Sequence, residues 1–141
     1  MNKLDTLEPD FRAKIVELLK QTEAATGRKW GISDGRRTMR RQAEIYAQGR
    51  TTPGKVVSNA PPGSSAHNFS LAADLWPLTK DGKDFDWGAS KSVFKIMADI
   101  AVKLGLIAGF YFKSFLDMPH VESPDWRKQR ELWKAGKLKV E

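Results

Sequence analysis

Leu7, Phe11, Ile15, Leu18, Leu19 and Thr22 recur at three- and four-residue intervals, which predicts a helix with one apolar face. Asp5 or Thr6 is the expected cap, Glu8 follows three residues after Asp5, Pro9 falls in the first turn, and Gly27 ends the pattern. Trp30 to Ser33 reads as a short strand that runs into an Asp34-Gly35 turn. Thr38 then opens a helix from Met39 to Gln48, with Ala43, Ile45 and Tyr46 as its apolar positions and Gly49 at its end. From Arg50 to Ser65 the pattern lapses into Thr, Pro, Gly, Ser and Asn, broken only by Val56-Val57. A surface loop of that length inside a compact domain is more often functional than idle. Leu71 to Leu78 is a buried-strand candidate with a carboxylate, Asp74, inside it. After a turn at Lys80-Asp81-Gly82-Lys83, Asp86 is expected to cap a helix from Trp87 to Leu104, whose inner face is Val93, Phe94, Met97, Ile100, Ala101 and Leu104. Leu106-Ile107-Ala108 and the surroundings of Val121 predict short strands. Ser123-Pro124 opens a last helix, about 124–136, in which Trp126, Leu132 and Trp133 pack back on the domain. No repeat and no second domain interrupts residues 1–141.

Composition narrows the chemistry. The 141 residues are 40% hydrophobic and 29% charged, an ordinary balance for a globular chain with a proper core. There is no cysteine, which excludes disulfides, a thiolate nucleophile and Cys-ligated metal, so any metal site must use His, Asp or Glu. No apolar run approaches the ~18–20 residues of a membrane span, and the N-terminal residues lack the basic-then-apolar signature of a signal peptide. The expectation is a protein made in the cytoplasm, without stable membrane insertion, that needs outside help to leave it. The net charge of +7 suits an anionic partner: nucleic acid, anionic lipid or an acidic wall polymer. Its basic residues are spread out, with mild clusters at 36–41 and 127–139, and no nucleic-acid motif accompanies them, so nucleic acid is not the expected partner.

Only two histidines exist, His67 and His120, and each has a carboxylate nearby. Asp74 follows His67 by seven residues at the head of the apolar run, and Asp117 precedes His120 by three. A charge inside such a run is costly unless paired or bound to metal. Hydrolytic zinc sites typically take three protein ligands from His and carboxylate and keep a position for water, with another carboxylate as base. His67, Asp74 and His120 as ligands and Asp117 as base supply those parts. Taken singly, either histidine is as well explained as a packed or surface residue; using both in one site is what favours zinc.

Ser65-x-His67-x-x-Ser70-x-Ala72-x-Asp74 resembles the Ser-x-His-x-x-Gly-x-Ala-x-Asp motif of a zinc peptidase family acting on bacterial cell walls. That family includes D-alanyl-D-alanine carboxypeptidases and the L-alanyl-D-glutamate endopeptidases of bacteriophages, the endolysins. Asp117-Met118-Pro119-His120-Val121-Glu122 is similar to its second motif. Gly35-Arg36-Arg37-Thr38, Gln42 and Tyr46-Ala47-Gln48-Gly49-Arg50-Thr51 resemble a third, so the match runs from Ser33 to Glu122 in family order. The resemblance implies an α+β fold, a small antiparallel sheet flanked by helices, with a zinc site in a cleft of a single domain. It implies zinc on His67, Asp74 and His120, Asp117 as catalytic base, and Arg37 on the substrate near the scissile carbonyl. Ser65 is expected to brace the loop or touch substrate, and Gln42 to line the cleft.

Two positions depart from the family pattern. Ser70 stands for the family glycine, so a positive φ there would carry strain. Arg36 stands for an aromatic residue and adds charge near the cleft mouth. Carboxypeptidases of the family typically carry Glu where this chain has Asp117, and several phage endopeptidases carry Asp. The expected function is therefore an endolysin that hydrolyses a stem-peptide bond of peptidoglycan, L-alanyl-D-glutamate first. It would act as a monomer on the wall (periplasm) after a partner permeabilises the membrane. A D-alanyl-D-alanine carboxypeptidase and a non-catalytic zinc-containing wall-binding module are the alternatives.

Overall fold

A carboxylate sets the start of the first helix. In the computed structural model, which describes residues 3–141, helix α1 (Pro9–Thr26) is capped by Glu8 and not by Asp5 or Thr6. The Glu8 side chain accepts the N–H groups of Asp10 at 3.0 Å and Phe11 at 2.9 Å, donors that no helical carbonyl reaches. Lys3–Thr6 forms only a short 3-10 turn ahead of it. The predicted apolar face holds: Phe11, Ile15, Leu18 and Thr22 are buried, and Gly27 closes the helix at φ 66°.

Strand β1 (Trp30–Asp34) leads into α2 (Met39–Ala47), where the Thr38 side chain accepts the Arg41 N–H at 3.0 Å. The expected apolar face of α2 is not buried. Ala43 is exposed, Ile45 and Tyr46 are half-covered, and Gln42 is its one buried residue, so α2 is a groove wall and not core. The loop to residue 65 follows as expected, and β2 (Ala72–Pro77) carries Asp74. Helix α3 (Lys91–Lys103) starts after Ser90, later than the Trp87 start that the sequence suggests. Asp86 makes a turn instead of a cap: one oxygen accepts from Arg28 at 2.8 Å and the other from the Gly88 N–H at 3.2 Å. Strands β3 (Ile107–Ala108) and β4 (His120–Glu122) precede the last helix, α4 (Trp126–Lys134). Trp126 is buried and the Trp133 ring lies 6.0 Å from Phe69, but Leu132 is 41% exposed and stands outside the core cluster.

The sheet is fully antiparallel in the order β1-β2-β4-β3, and the architecture is α+β in one domain. Ile15 and Leu18 of α1, Leu75 of β2, Phe94 and Met97 of α3 and Val121 of β4 are fully buried and form the core. Alternation on β2 then decides the site: Ala73 and Leu75 take one face, and Asp74 the other.

Between the loop and β2 lies a turn, Ala66–Phe69, that ends at Ser70 with φ 61° and ψ 27°. Ser70 is the sole non-glycine residue at positive φ among the described residues. The family glycine position is thus left-handed here, a conformation costing an L-residue about 1–2 kcal/mol. Ser70→Gly is expected to raise stability by about 0.5–1 kcal/mol after the entropy glycine adds to the unfolded chain, seen as a higher midpoint in denaturant unfolding. A lower midpoint would show that the Ser70 side chain contributes more than its strain costs.

Candidate metal centre

Asp74 and His120 face each other as register partners on β2 and β4. His67 comes from the Ala66–Phe69 turn, whose start is fixed by Ser65: its hydroxyl accepts the His67 N–H at 3.3 Å. The two imidazoles converge on one atom. His67 Nε2 lies 3.3 Å and His120 Nδ1 3.2 Å from Asp74 Oδ1, with the rings 5.1 Å apart. One ligand atom from each of the three residues lies within 4.8 Å of the other two.

The outward nitrogens are held as well. His67 Nδ1 donates to the Gly35 carbonyl at 2.7 Å, which leaves Nε2 as the inward atom. His120 Nε2 pairs with Glu122 Oε1 at 2.7 Å, and Glu122 Oε2 accepts the Trp126 indole N–H at 2.8 Å. Both rings therefore have fixed orientations before any ion arrives.

Burial pushes the Asp74 carboxyl up, but hydrogen bonds from His120 and His67 outweigh it and hold the group well below the usual carboxylate range. Burial pushes His120 down, yet its bonds to Asp74 and Glu122 win and raise it from 6.5 to about 10. Asp117, whose Oδ2 is 3.9 Å from His120 Nδ1, moves the other way from Asp74. Burial and the neighbouring Asp74 charge raise its pKa, with His120, His67 and Arg37 opposing.

Two imidazole nitrogens and one carboxylate oxygen, with no thiolate available, fit zinc; magnesium or calcium would ask for an oxygen shell. The pull of Asp74 and Glu122 on His120 makes the centre of the cluster favourable to positive charge. Three protein ligands with one side open is the pattern of a catalytic rather than a structural zinc site.

That open side is a groove of about 940 Å³ whose lining includes Arg37, Val57, Ser65, Phe112, Phe115 and Asp117. The Arg37 guanidinium is 16% exposed and anchored twice, by an ion pair to Asp34 and by Gln42 Oε1 at 3.0 Å. Its backbone is tied to the histidine turn: Arg37 N–H donates to the His67 carbonyl at 2.9 Å, and the Asn68 amide donates to the Arg37 carbonyl at 3.0 Å. Gln42 does not line the groove. It is fully buried, with its amide nitrogen donating to Ser58 Oγ at 3.2 Å and Ala60 O at 2.6 Å, so it reaches the site only through Arg37. Arg36 turns to the surface and pairs with Glu141 at 3.2 Å.

Sequence reasoning left several supporting residues unassigned. Glu122 stood in the second motif, and its spacing from His120 on a strand was the available signal; Asp34 and Trp126 offered none. Gly109 is needed for close approach, since a Cβ there would come within 2.9 Å of His120 Cβ and run into the Asp117 backbone.

The profile of the D-alanyl-D-alanine carboxypeptidase family, VanY, matches residues 5–127. The peptidoglycan L-alanyl-D-glutamate endopeptidase CwlK of Bacillus subtilis (strain 168) is 37% identical over 112 residues, covering 75% of this chain and 67% of CwlK. Among solved structures, the L-Ala D-Glu endopeptidase ChiX of Serratia marcescens matches with a TM-score of 0.61 at 19% identity, over 91% of this chain and 87% of that one. A vancomycin-resistance D,D-pentapeptidase, VanY, solved in complex with Zn(II), matches with a TM-score of 0.61 at 16% identity, over 92% and 79%. These structural likenesses speak for the fold, and the profile speaks for the family across the whole site-bearing part of the sequence. The chain belongs to the VanY, D-alanyl-D-alanine carboxypeptidase, family and is a peptidoglycan peptidase of that kind.

Proposed function

We propose that the protein is a zinc-dependent L-alanyl-D-glutamate endopeptidase of peptidoglycan. The observation that carries the choice of bond is the 37% identity with CwlK over 112 residues, 75% of this chain. The chemistry is supported by the convergence of His67, Asp74 and His120 beside Asp117 in one groove. When bound there, zinc supplies Lewis acidity, making a water acidic near neutral pH and polarising a carbonyl.

The chain's own residues do the rest. Asp117 is open to the groove and its raised pKa brings it closer to working pH, which suits a group that must take a proton and release it again. Its carboxylate accepts the proton of the attacking water and passes it to the leaving D-glutamyl amine. Arg37 is held by Asp34 and Gln42, so its guanidinium meets the negative charge that grows on the scissile carbonyl oxygen without reorganising. Ser65 fixes the His67 turn. The deployment we propose is that of a phage endolysin, made in the host cytoplasm and reaching the wall after membrane permeabilisation. Asp117 in place of Glu and the basic charge of +7 support this role. No described helix is long and apolar enough to cross a membrane.

Mass spectrometry of purified peptidoglycan stem peptides after incubation, with chelator and with restored zinc, tests the reaction. The expected products are L-alanine carboxyl ends and new D-glutamyl amines, lost with chelator and recovered with zinc. Release of one terminal D-alanine would assign the carboxypeptidase activity instead, and no metal-dependent product would overturn the enzymatic reading. Asp117→Asn is expected to lower kcat by about 10²–10⁴-fold while zinc binding by calorimetry persists.

Chelated protein should also show a pH signature. The His120 pKa is raised on folding, so its stabilising contribution is complete below pH 6.5 and fades as pH rises through about 10. Thermal unfolding of chelated protein is expected to move to lower temperature across that window. Zinc-loaded protein should hold steady, so the gap between the two widens with pH. A constant gap would mean that no proton is displaced by the ion.

A further inference from the structure

Among the exposed aromatic residues, Trp87 takes no part in the chemistry derived above. Trp87 is 59% exposed, yet its indole is fixed from behind: the ring lies 4.8 Å from Trp76 at 65° and 5.3 Å from Phe85 at 50°. Trp76 in turn stands edge-on to fully buried Phe94 at 5.0 Å. An indole ordered by its neighbours and open on one side costs no further ordering when something stacks on it.

Its surroundings tie it to the site. Trp87 opens on a groove of about 480 Å³ that also takes in Ser33, Asp34, Arg36 and Thr38. Arg37, Arg41 and Ile45 line both this groove and the one over the metal centre, so α2 and the residues ahead of it form the shared wall. On β2, Trp76 stands two residues from Asp74 with the same parity, about 7 Å along the strand. Trp87 rests on the Trp76 ring at 4.8 Å and is thereby linked to the strand that carries Asp74.

A peptidoglycan stem peptide carries no aromatic or large apolar side chain to occupy such a surface. The glycan does: the C–H face of a pyranose ring packs on the negative π-face of an indole. Chain length decides whether a sugar can arrive. With the L-alanyl-D-glutamate bond at the metal centre, one residue separates the scissile carbonyl from the lactyl arm of the sugar. With a D-alanyl-D-alanine bond there, four residues intervene, each spanning about 3.3–3.6 Å when extended. The first geometry keeps the saccharide beside the catalytic groove, whereas the second lets it lie roughly 13–14 Å away when extended.

We infer that Trp87 is a saccharide-binding platform that seats the glycan ring next to the scissile bond and so selects sugar-bearing substrate. The inference rests on the endopeptidase reading above. It is tested by kcat and KM of the wild type, Trp87→Ala and Trp87→Phe on a disaccharide-tetrapeptide and on the same tetrapeptide without sugar. Trp87→Ala is expected to raise KM about three- to tenfold on the sugar-bearing substrate, leave the sugar-free peptide unchanged, and be largely rescued by Trp87→Phe. Unchanged turnover of the sugar-free peptide also shows that the variant folds. An equal loss on both substrates, or no loss on either, overturns the platform. A wild type that cuts neither substrate overturns the endopeptidase reading, and titration with the N-acetylglucosaminyl-N-acetylmuramic acid disaccharide alone then decides the platform by fluorescence. Saturable binding lost in Trp87→Ala upholds it, and no saturable binding refutes it.

Discussion

A carboxylate in the middle of a small sheet is tolerated only where positive charge and hydrogen-bond donors face it. Asp74 occupies that position on β2, between fully buried Ala73 and Leu75. Everything around it answers the same electrostatic demand. Two imidazoles converge on its Oδ1, and each has its far nitrogen engaged, one by the Gly35 carbonyl and one by Glu122. The same arrangement that stabilises the charge without an ion is a ligand set when an ion is present. Asp117 stands at the rim, where the Asp74 charge works against its ionisation. Two carboxylates in one groove are thus pushed in opposite directions, the usual mark of a ligand and a proton carrier side by side.

The demand spreads outward through Glu122. Its second oxygen accepts from Trp126, which fastens α4 to the metal centre. Trp126 stacks on Phe69 at 6.2 Å and 26°, and Trp133 meets the same ring edge-on at 6.0 Å, so the turn that carries His67 is wedged by α4 from behind. Helix α4 is therefore part of the machinery that orients both histidines, although none of its side chains belongs to the His67, Asp74 and His120 cluster. Outer-shell partners of this kind orient ligands and tune their basicity.

The sequence made much of this readable because the chemistry is concentrated. With two histidines and no cysteine, few ligand sets were available, and the resemblance of the segments around His67, Asp74 and His120 to cell-wall zinc peptidase motifs pointed to the set that the fold assembles. Helix α1 was legible from its periodicity. Helix α2 was legible in its bounds and its Thr38 cap but not in its facing, because its apolar residues serve a groove and its buried residue is a glutamine whose partners lie in the following loop. The start of α3 was misread since Asp86 looks like a cap but is taken by Arg28, a contact across 58 residues that no local pattern announces. Gly35 acts through its carbonyl, Gly109 through close approach and Asn68 through its side-chain amide on the Arg37 carbonyl, and these become visible only when the elements are packed.

One irregularity shows how closely backbone and chemistry are coupled. Along β1 and β2 the pairing runs Trp30 to Pro77, Gly31 to Trp76 and Ile32 to Leu75, then slips so that Asp34 opposes Asp74. Regular pairing would have set Ser33 opposite Asp74 and Asp34 opposite Ala73, on the face that packs against the core. A one-residue slip exchanges the two faces of a strand, and a bulge confines that exchange to its own end. Ser33 is the extra residue, and Asp34 is thereby delivered to the groove face, where it anchors Arg37. The same slip precedes Gly35, whose carbonyl holds His67. An unbroken ladder would bury an anchoring carboxylate among apolar side chains and leave the arginine held by Gln42 alone. The bulge is what lets an edge strand serve the core at one end and the catalytic groove at the other.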